Sequence, residues 1–126
     1  MTSAATVRVV VADDSAAFRG AAADVVGATP GFELVAAAGS AEEAVAAADK
    51  VHPDLVLMDV RMPGLGGVEA ARRIKAARRS TLVVLITAGS DGSPGERSVE
   101  TIDKWSLSPS TLHDLWESRG GLTRQG

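Results

Sequence analysis

Short runs of β-branched and aliphatic residues recur along the chain, separated by alanine-rich stretches with helical spacing. Val7-Arg-Val-Val-Val-Ala12, Asp54-Leu-Val-Leu-Met-Asp59 and Thr81-Leu-Val-Val-Leu-Ile-Thr87 are apolar nearly throughout, as strands buried on both faces are. Phe32-Glu-Leu-Val-Ala-Ala37 places Glu33 among apolar neighbours and fits a strand nearer an edge, and Ser98-Val-Glu-Thr-Ile-Asp103 is a shorter, more polar fifth. Between these runs, residues 15–27, 40–49, 66–78 and 109–118 predict helices. Ser40 with Glu43 forms a capping box that opens the second helix, and Ser108-Pro109 supplies a cap and a first-turn proline to the last. In that last helix Leu112, Leu115 and Trp116 fall on one stripe that packs on a sheet.

Strands alternating with helices predict a parallel sheet covered on both faces. Five strands in 126 residues fit one flavodoxin-like, doubly wound five-stranded α/β domain of strand order 2-1-3-4-5. In that order a site forms beyond the carboxyl ends of the first and third strands. One stretch breaks the alternation. Ala88-Gly-Ser-Asp-Gly-Ser-Pro-Gly95 stands where a fourth helix is due, and its Gly, Ser and Pro predict a fourth helix that is short or missing over 89–97. Residues 1–119 are expected to form the domain and 120–126 a flexible tail.

Composition narrows the function classes. A net charge of −3 offers no general attraction to nucleic acid or to an anionic membrane. With no cysteine there is no disulfide framework and no thiol chemistry. The first seven residues lack a basic segment followed by a long apolar run, so a soluble, cytoplasmic protein is expected. The two Phe and two Trp leave a core built mainly of Val, Leu, Ile and Ala.

Chemistry concentrates at strand ends. Asp13-Asp14 directly follows the first strand. Adjacent carboxylates there can converge on a hard divalent cation, or simply complement the N-terminus of the next helix. Asp59 ends the third central strand, which in this order lies beside the first, so three carboxylates share one crevice, an arrangement that calls for a cation. Thr87 ends the next strand and Lys104 follows the fifth. A hydroxyl and an ammonium facing an acidic cleft suit phosphoryl transfer, although a strand-end Thr often bonds backbone and a lone Lys is often solvated.

The Asp pair, the segment His52-Pro-Asp-Leu-Val-Leu-Met-Asp-Val-Arg-Met-Pro-Gly-Leu-Gly-Gly67, Thr87-Ala88 and Lys104 together resemble the receiver domain of response regulators, over about residues 6–118. That resemblance implies that Asp59 is the phosphoacceptor. It implies that Asp14 and Asp59 bind Mg²⁺ directly, with Asp13 acting directly or through water and the Arg61 carbonyl as a further ligand. Thr87 would bind a phosphoryl oxygen, and Lys104 would pair with the phosphoryl group or, before transfer, with Asp59. Met62, Pro63 and Gly64 would shape the loop over the pocket, while Arg61, Ala88 and Gly89 would tune the lifetime of the acyl phosphate. The donor would be a sensor histidine kinase or a histidine phosphotransfer protein. The chain would act as a signalling phosphoacceptor with self-catalysed transfer and dephosphorylation, answering to a downstream partner and contacting neither nucleic acid nor membrane itself.

The sequence departs from that family at three places. Thr101 stands where an aromatic residue commonly switches position. Lys104 follows Thr87 at an interval of 17 (104 − 87), shorter than usual. Trp105 replaces a proline that often follows the Lys in a cis peptide, and is expected to be trans and to anchor against the last helix. Arg72, Lys75 and Arg79, with Arg73 and Arg78, predict a solvated basic face on the third helix. His52 and His113 have no spaced metal partners. Three alternatives to a stand-alone receiver are a receiver belonging to a DNA-binding regulator, a pseudo-receiver that is not phosphorylated, and a phosphatase with an aspartyl-phosphate intermediate. The last would want its second Asp two positions after the nucleophile, a spacing that Asp13-Asp14-Ser15 lacks.

Overall fold

The computed structural model describes residues 6–88 and 100–120. Its strands are β1 (Val7–Ala12), β2 (Phe32–Ala38), β3 (Leu55–Asp59), β4 (Leu82–Thr87) and β5 (Glu100–Asp103). They form one parallel sheet in the order β2-β1-β3-β4-β5, as the alternation predicts. The helices are α1 (Ala16–Gly27), α2 (Ala41–Val51), α3 (Gly67–Ala77) and α4 (Pro109–Leu115), the last continued by a π-helical turn over Trp116–Gly120. The expectation of a short or missing helix over 89–97 lies outside the described residues.

Side chains alternate across the sheet, and each set meets its own helices. Val9, Val11, Leu55, Leu57, Val84 and Ile86 are buried with Ala22 and Val26 of α1 and with Leu112 and Leu115 of α4. Val10, Ala12, Val56, Met58, Val83 and Leu85 are buried against Ala41, Ala44 and Ala48 of α2 and Ala70, Ala71 and Ile74 of α3. Alanine on α2 and α3 keeps those helices close to the sheet, which explains how so few aromatic residues close a core. β2 is an edge strand and Glu33 is exposed, in line with the polar residue in its run. Among the described residues no helix is long and apolar enough to cross a membrane.

The ends of the elements refine the sequence reading. Ser15, Ser40 and Ser108 cap α1, α2 and α4 by accepting from the backbone N–H three residues on. At α2 the return bond of the capping box is shifted. The Glu43 carboxylate accepts from Gly39 N–H at 2.8 Å, one residue ahead of the cap, because Gly39 presents its amide where the incoming chain turns. α2 also runs on to Val51 and ends on His52 in the left-handed region, φ 51°, a conformation histidine adopts more readily than most non-glycine residues.

Two surface expectations are corrected. Trp105 does not anchor against α4: it is 77% exposed, because it lies in the short 3₁₀ turn Lys104–Ser106 rather than in a helix facing the core. Trp116, by contrast, is buried with Leu112 and Leu115. Lys75 is not a member of a solvated face. Its ammonium donates to the carbonyls of Arg79 (3.0 Å) and Thr81 (2.8 Å), closing the exit from α3, and burial lowers its pKa from 10.5. Arg73 spends its charge on Glu69 one turn earlier, at 3.1 Å.

Candidate functional site

The parallel register builds the pocket. Ala12 lies opposite Met58, so the next residues on each strand, Asp13 and Asp59, leave the sheet side by side. Asp59 in turn lies opposite Ile86, which puts Thr87, buried at the end of β4, one step beyond it. Thr87 lies opposite Asp103, and Lys104 follows. Four strand ends thus deliver Asp13, Asp14, Asp59, Thr87 and Lys104 to the carboxyl edge of the sheet, on both sides of the point where the connections change direction.

The three carboxylates converge: Asp13, Asp14 and Asp59 each offer an oxygen within 4.8 Å of the others. Asp13 is fully buried, Asp59 nearly so and Asp14 exposed. Backbone amides hold the two buried carboxylates. Asp13 Oδ1 accepts from Ser15 N–H at 2.8 Å and Asp59 Oδ1 from Arg61 N–H at 3.0 Å. The second oxygen of Asp13, Oδ2, is buried and has no well-formed hydrogen bond among the described residues. What it has is an ionic neighbour, the Lys104 ammonium at 2.9 Å.

Lys104 therefore leans towards Asp13 and stands farther from Asp59, at 3.6 Å. The sequence reading paired it with Asp59 before transfer. The structure places it between the two acids and closer to Asp13. Its ammonium also lies over the Phe18 ring, 4.6 Å from the centroid, a cation–π contact. The bond from Lys104 to Trp105 is trans, since the described residues contain no cis peptide. Its aim is set instead by Asp103, whose carboxylate accepts from Trp105 N–H at 3.1 Å and folds the backbone into the 3₁₀ turn.

This geometry sets the charge balance of the pocket. Burial raises the pKa of Asp59 above 3.8, and the negative charge of Asp13 adds to the rise. The Arg61 amide and Lys104 pull it down without cancelling the effect. For Lys104 burial acts to lower the pKa, but Asp13 first and Asp59 second outweigh it, and the net shift is upward from 10.5. One ammonium thus serves two carboxylates and leaves Asp59 the less compensated. A buried Asp13 oxygen met only by the Lys104 ammonium, an under-compensated Asp59 and a set of hard oxygen donors fit a small divalent cation such as Mg²⁺.

The loop from Val60 to Gly66 joins β3 to α3 and packs against α2. Met62 is buried in the α2–α3 core, and Pro63 presents its carbonyl to Ala41 N–H of α2 at 3.4 Å. Glu42 accepts from Leu65 N–H at 3.2 Å. Gly64 has φ 83°, a backbone conformation that favours glycine, and the mobile end of the Glu42 side chain fills the space beside it. At Gly67 the first turn of α3 passes so close to the Asp59 carbonyl that a Cβ would collide with it. Ala88 is exposed just after β4, and Gly89 lies outside the described residues. Thr101 is exposed on β5, which leaves no buried aromatic at that position.

Sequence reasoning missed two participants, both on α1. Phe18 lies beneath Lys104, and Arg19 donates to the Asp13 carbonyl at 2.7 Å. Neither position carries a signal of its own, because an aromatic and a cation in a helix have many ordinary uses.

Comparison with known proteins agrees with this geometry. Residues 9–101 match the family described as the response regulator receiver domain. The chain is 42% identical over 116 residues to protein-glutamate methylesterase/protein-glutamine glutaminase 2 of Anaeromyxobacter dehalogenans, a match covering 88% of this chain and 33% of that protein. It is 41% identical over 91 residues to the transcriptional regulatory protein PdtaR of Mycobacterium tuberculosis, covering 72% of this chain and 43% of the relative. The chain spans about a third of the methylesterase relative's length. Among solved structures, the response regulator domain of Thermotoga maritima CheB superposes with a TM-score of 0.77 at 26% identity, covering 89% of this chain and 95% of that one. A CheY-like receiver domain protein from Methanospirillum hungatei shares the fold, with a TM-score of 0.80 at 18% identity over 97% of this chain and 98% of that one.

Proposed function

The chain belongs to the family of response regulator receiver domains, signalling phosphoacceptors, and on that footing we propose that Asp59 is the residue that takes the phosphoryl group. In this reading a carboxylate oxygen of Asp59 attacks the phosphorus of a phosphohistidine on a sensor histidine kinase or a histidine phosphotransfer protein. The new O–P bond forms as the P–N bond breaks, and the imidazole nitrogen keeps the bonding pair. Mg²⁺, held by Asp13, Asp14 and Asp59 with the Arg61 carbonyl, would neutralise the charge of the phosphoryl oxygens. Thr87 and Lys104 would bind those oxygens, and Met62, Pro63, Gly64, Ala88 and Gly89 would border the site and set how fast water reaches the acyl phosphate. Residues 1–119 would form this domain and 120–126 a tail beyond it.

The observation that carries the reading is the convergence of three carboxylates at the carboxyl edge of the sheet, two of them sharing one ammonium. Burying two acids side by side with a single shared ammonium is costly for a purely structural cluster. Incubation with Mg²⁺ and acetyl phosphate, followed by intact-mass measurement, tests it. One phosphoryl adduct is expected, lost in Asp59→Asn and under chelation. A wild-type protein that stays unmodified across acetyl phosphate, phosphoramidate and a phosphorylated kinase would overturn it.

A further inference from the structure

We propose that Arg19 is a positioning residue for the acidic pocket, acting through the peptide that joins Asp13 to Asp14. Its guanidinium Nη1 donates to the Asp13 carbonyl oxygen at 2.7 Å, a short, charge-assisted bond. That oxygen belongs to the rigid peptide plane between the two acids. Fixing it sets the direction in which both carboxylates leave the backbone. The Asp13 N–H is meanwhile bound to the Ala38 carbonyl at 3.0 Å, and Asp13 Oδ1 to Ser15 N–H at 2.8 Å. Arg19 completes a set of three restraints on one residue.

The guanidinium also lies close to the start of α2. It lies against Gly39, where an added Cβ would come within 3.2 Å of Nη1 and 3.6 Å of Glu43 Oε1. Glu43 is itself fixed by Gly39 N–H at 2.8 Å. Gly39, just ahead of the α2 cap, thus leaves room beside its backbone for the guanidinium that reaches the β1–α1 turn.

Two other roles for Arg19 make different predictions. As a neighbouring positive charge only, it would repel a bound cation, and its removal would tighten Mg²⁺ binding. As a packing element only, its removal would lower stability and leave the affinity of the folded protein unchanged. A positioning role predicts weaker binding, because the carboxylates lose their preset geometry.

The proposal rests on the Mg²⁺ pocket described above, and the experiment separates the two. Mg²⁺ affinity of the full chain is measured by isothermal titration calorimetry, alongside urea unfolding, for the wild type, Arg19→Met and Arg19→Lys. Arg19→Met is expected to bind Mg²⁺ about tenfold more weakly. Arg19→Lys, which keeps the charge and one donor, should lose roughly two- to threefold. Equal or tighter binding in Arg19→Met, with binding in the wild type, overturns the role of Arg19 alone. Absence of Mg²⁺ binding in the wild type overturns the pocket and this proposal with it. Should Arg19→Met fail to fold, Arg19→Lys decides: weaker binding supports the positioning role, and unchanged or tighter binding refutes it.

Discussion

Replacing Lys104 by Met removes the cation that two buried acids share and keeps most of the apolar stem. With an effective dielectric of ~20, an ammonium at 2.9 Å attracts a carboxylate by about 6 kcal/mol and one at 3.6 Å by about 5 kcal/mol. Much of this is offset by the cost of burying the ammonium, whose side chain is 13% exposed, and the unpaired acids answer by holding a proton. Losing one partner of a buried pair costs about 3–5 kcal/mol, and protonation of Asp59 should bring the loss to the lower end, about 3 kcal/mol at neutral pH. Mg²⁺ should then stabilise the variant more than the wild type. In the wild type the ion must displace Lys104 from Asp13, whereas in the variant it enters an uncompensated pocket. Urea unfolding of both proteins, with chelator and with saturating Mg²⁺, measures the two differences. A loss under about 1 kcal/mol in chelator, or an equal Mg²⁺ increment in both proteins, would refute this account of the pocket.

Two further outcomes follow from the same geometry. Gly67→Ala drives a Cβ into the Asp59 carbonyl, so α3 must shift. A loss of roughly 1–3 kcal/mol in urea unfolding is expected together with slower adduct formation from acetyl phosphate, and wild-type rates would show that α3 does not bear on the acceptor. The raised pKa of Asp59 fixes a sign: its protonated form favours the folded state, so that contribution is complete below 3.8 and is lost as pH rises through the folded value. Without Mg²⁺, the stability of Asp59→Asn relative to wild type should therefore increase with pH across this window. A difference that is flat or falls with pH in chelator contradicts the burial assigned to Asp59.

The positions of Asp13, Asp14 and Asp59 were legible in the chain because they depend on local rules. Apolar runs mark the central strands, an acid that ends such a run lies at a sheet edge, and the β/α alternation admits few strand orders. The caps at Ser40 and Ser108 are local in the same way. What the tertiary structure decided are contacts between segments far apart in sequence. Lys104 rests nearer Asp13 than Asp59, Arg19 reaches back to the Asp13 carbonyl across Gly39, Lys75 turns inward to close α3, and Trp105 stands in solvent. A shift of less than an ångström between β1 and β5 would exchange the partners of Lys104, and no periodicity or motif encodes a distance that small. The sequence by itself thus determined which residues meet at the carboxyl edge of the sheet, while the packing of α1, α2 and the β5 turn determined how their charges are shared.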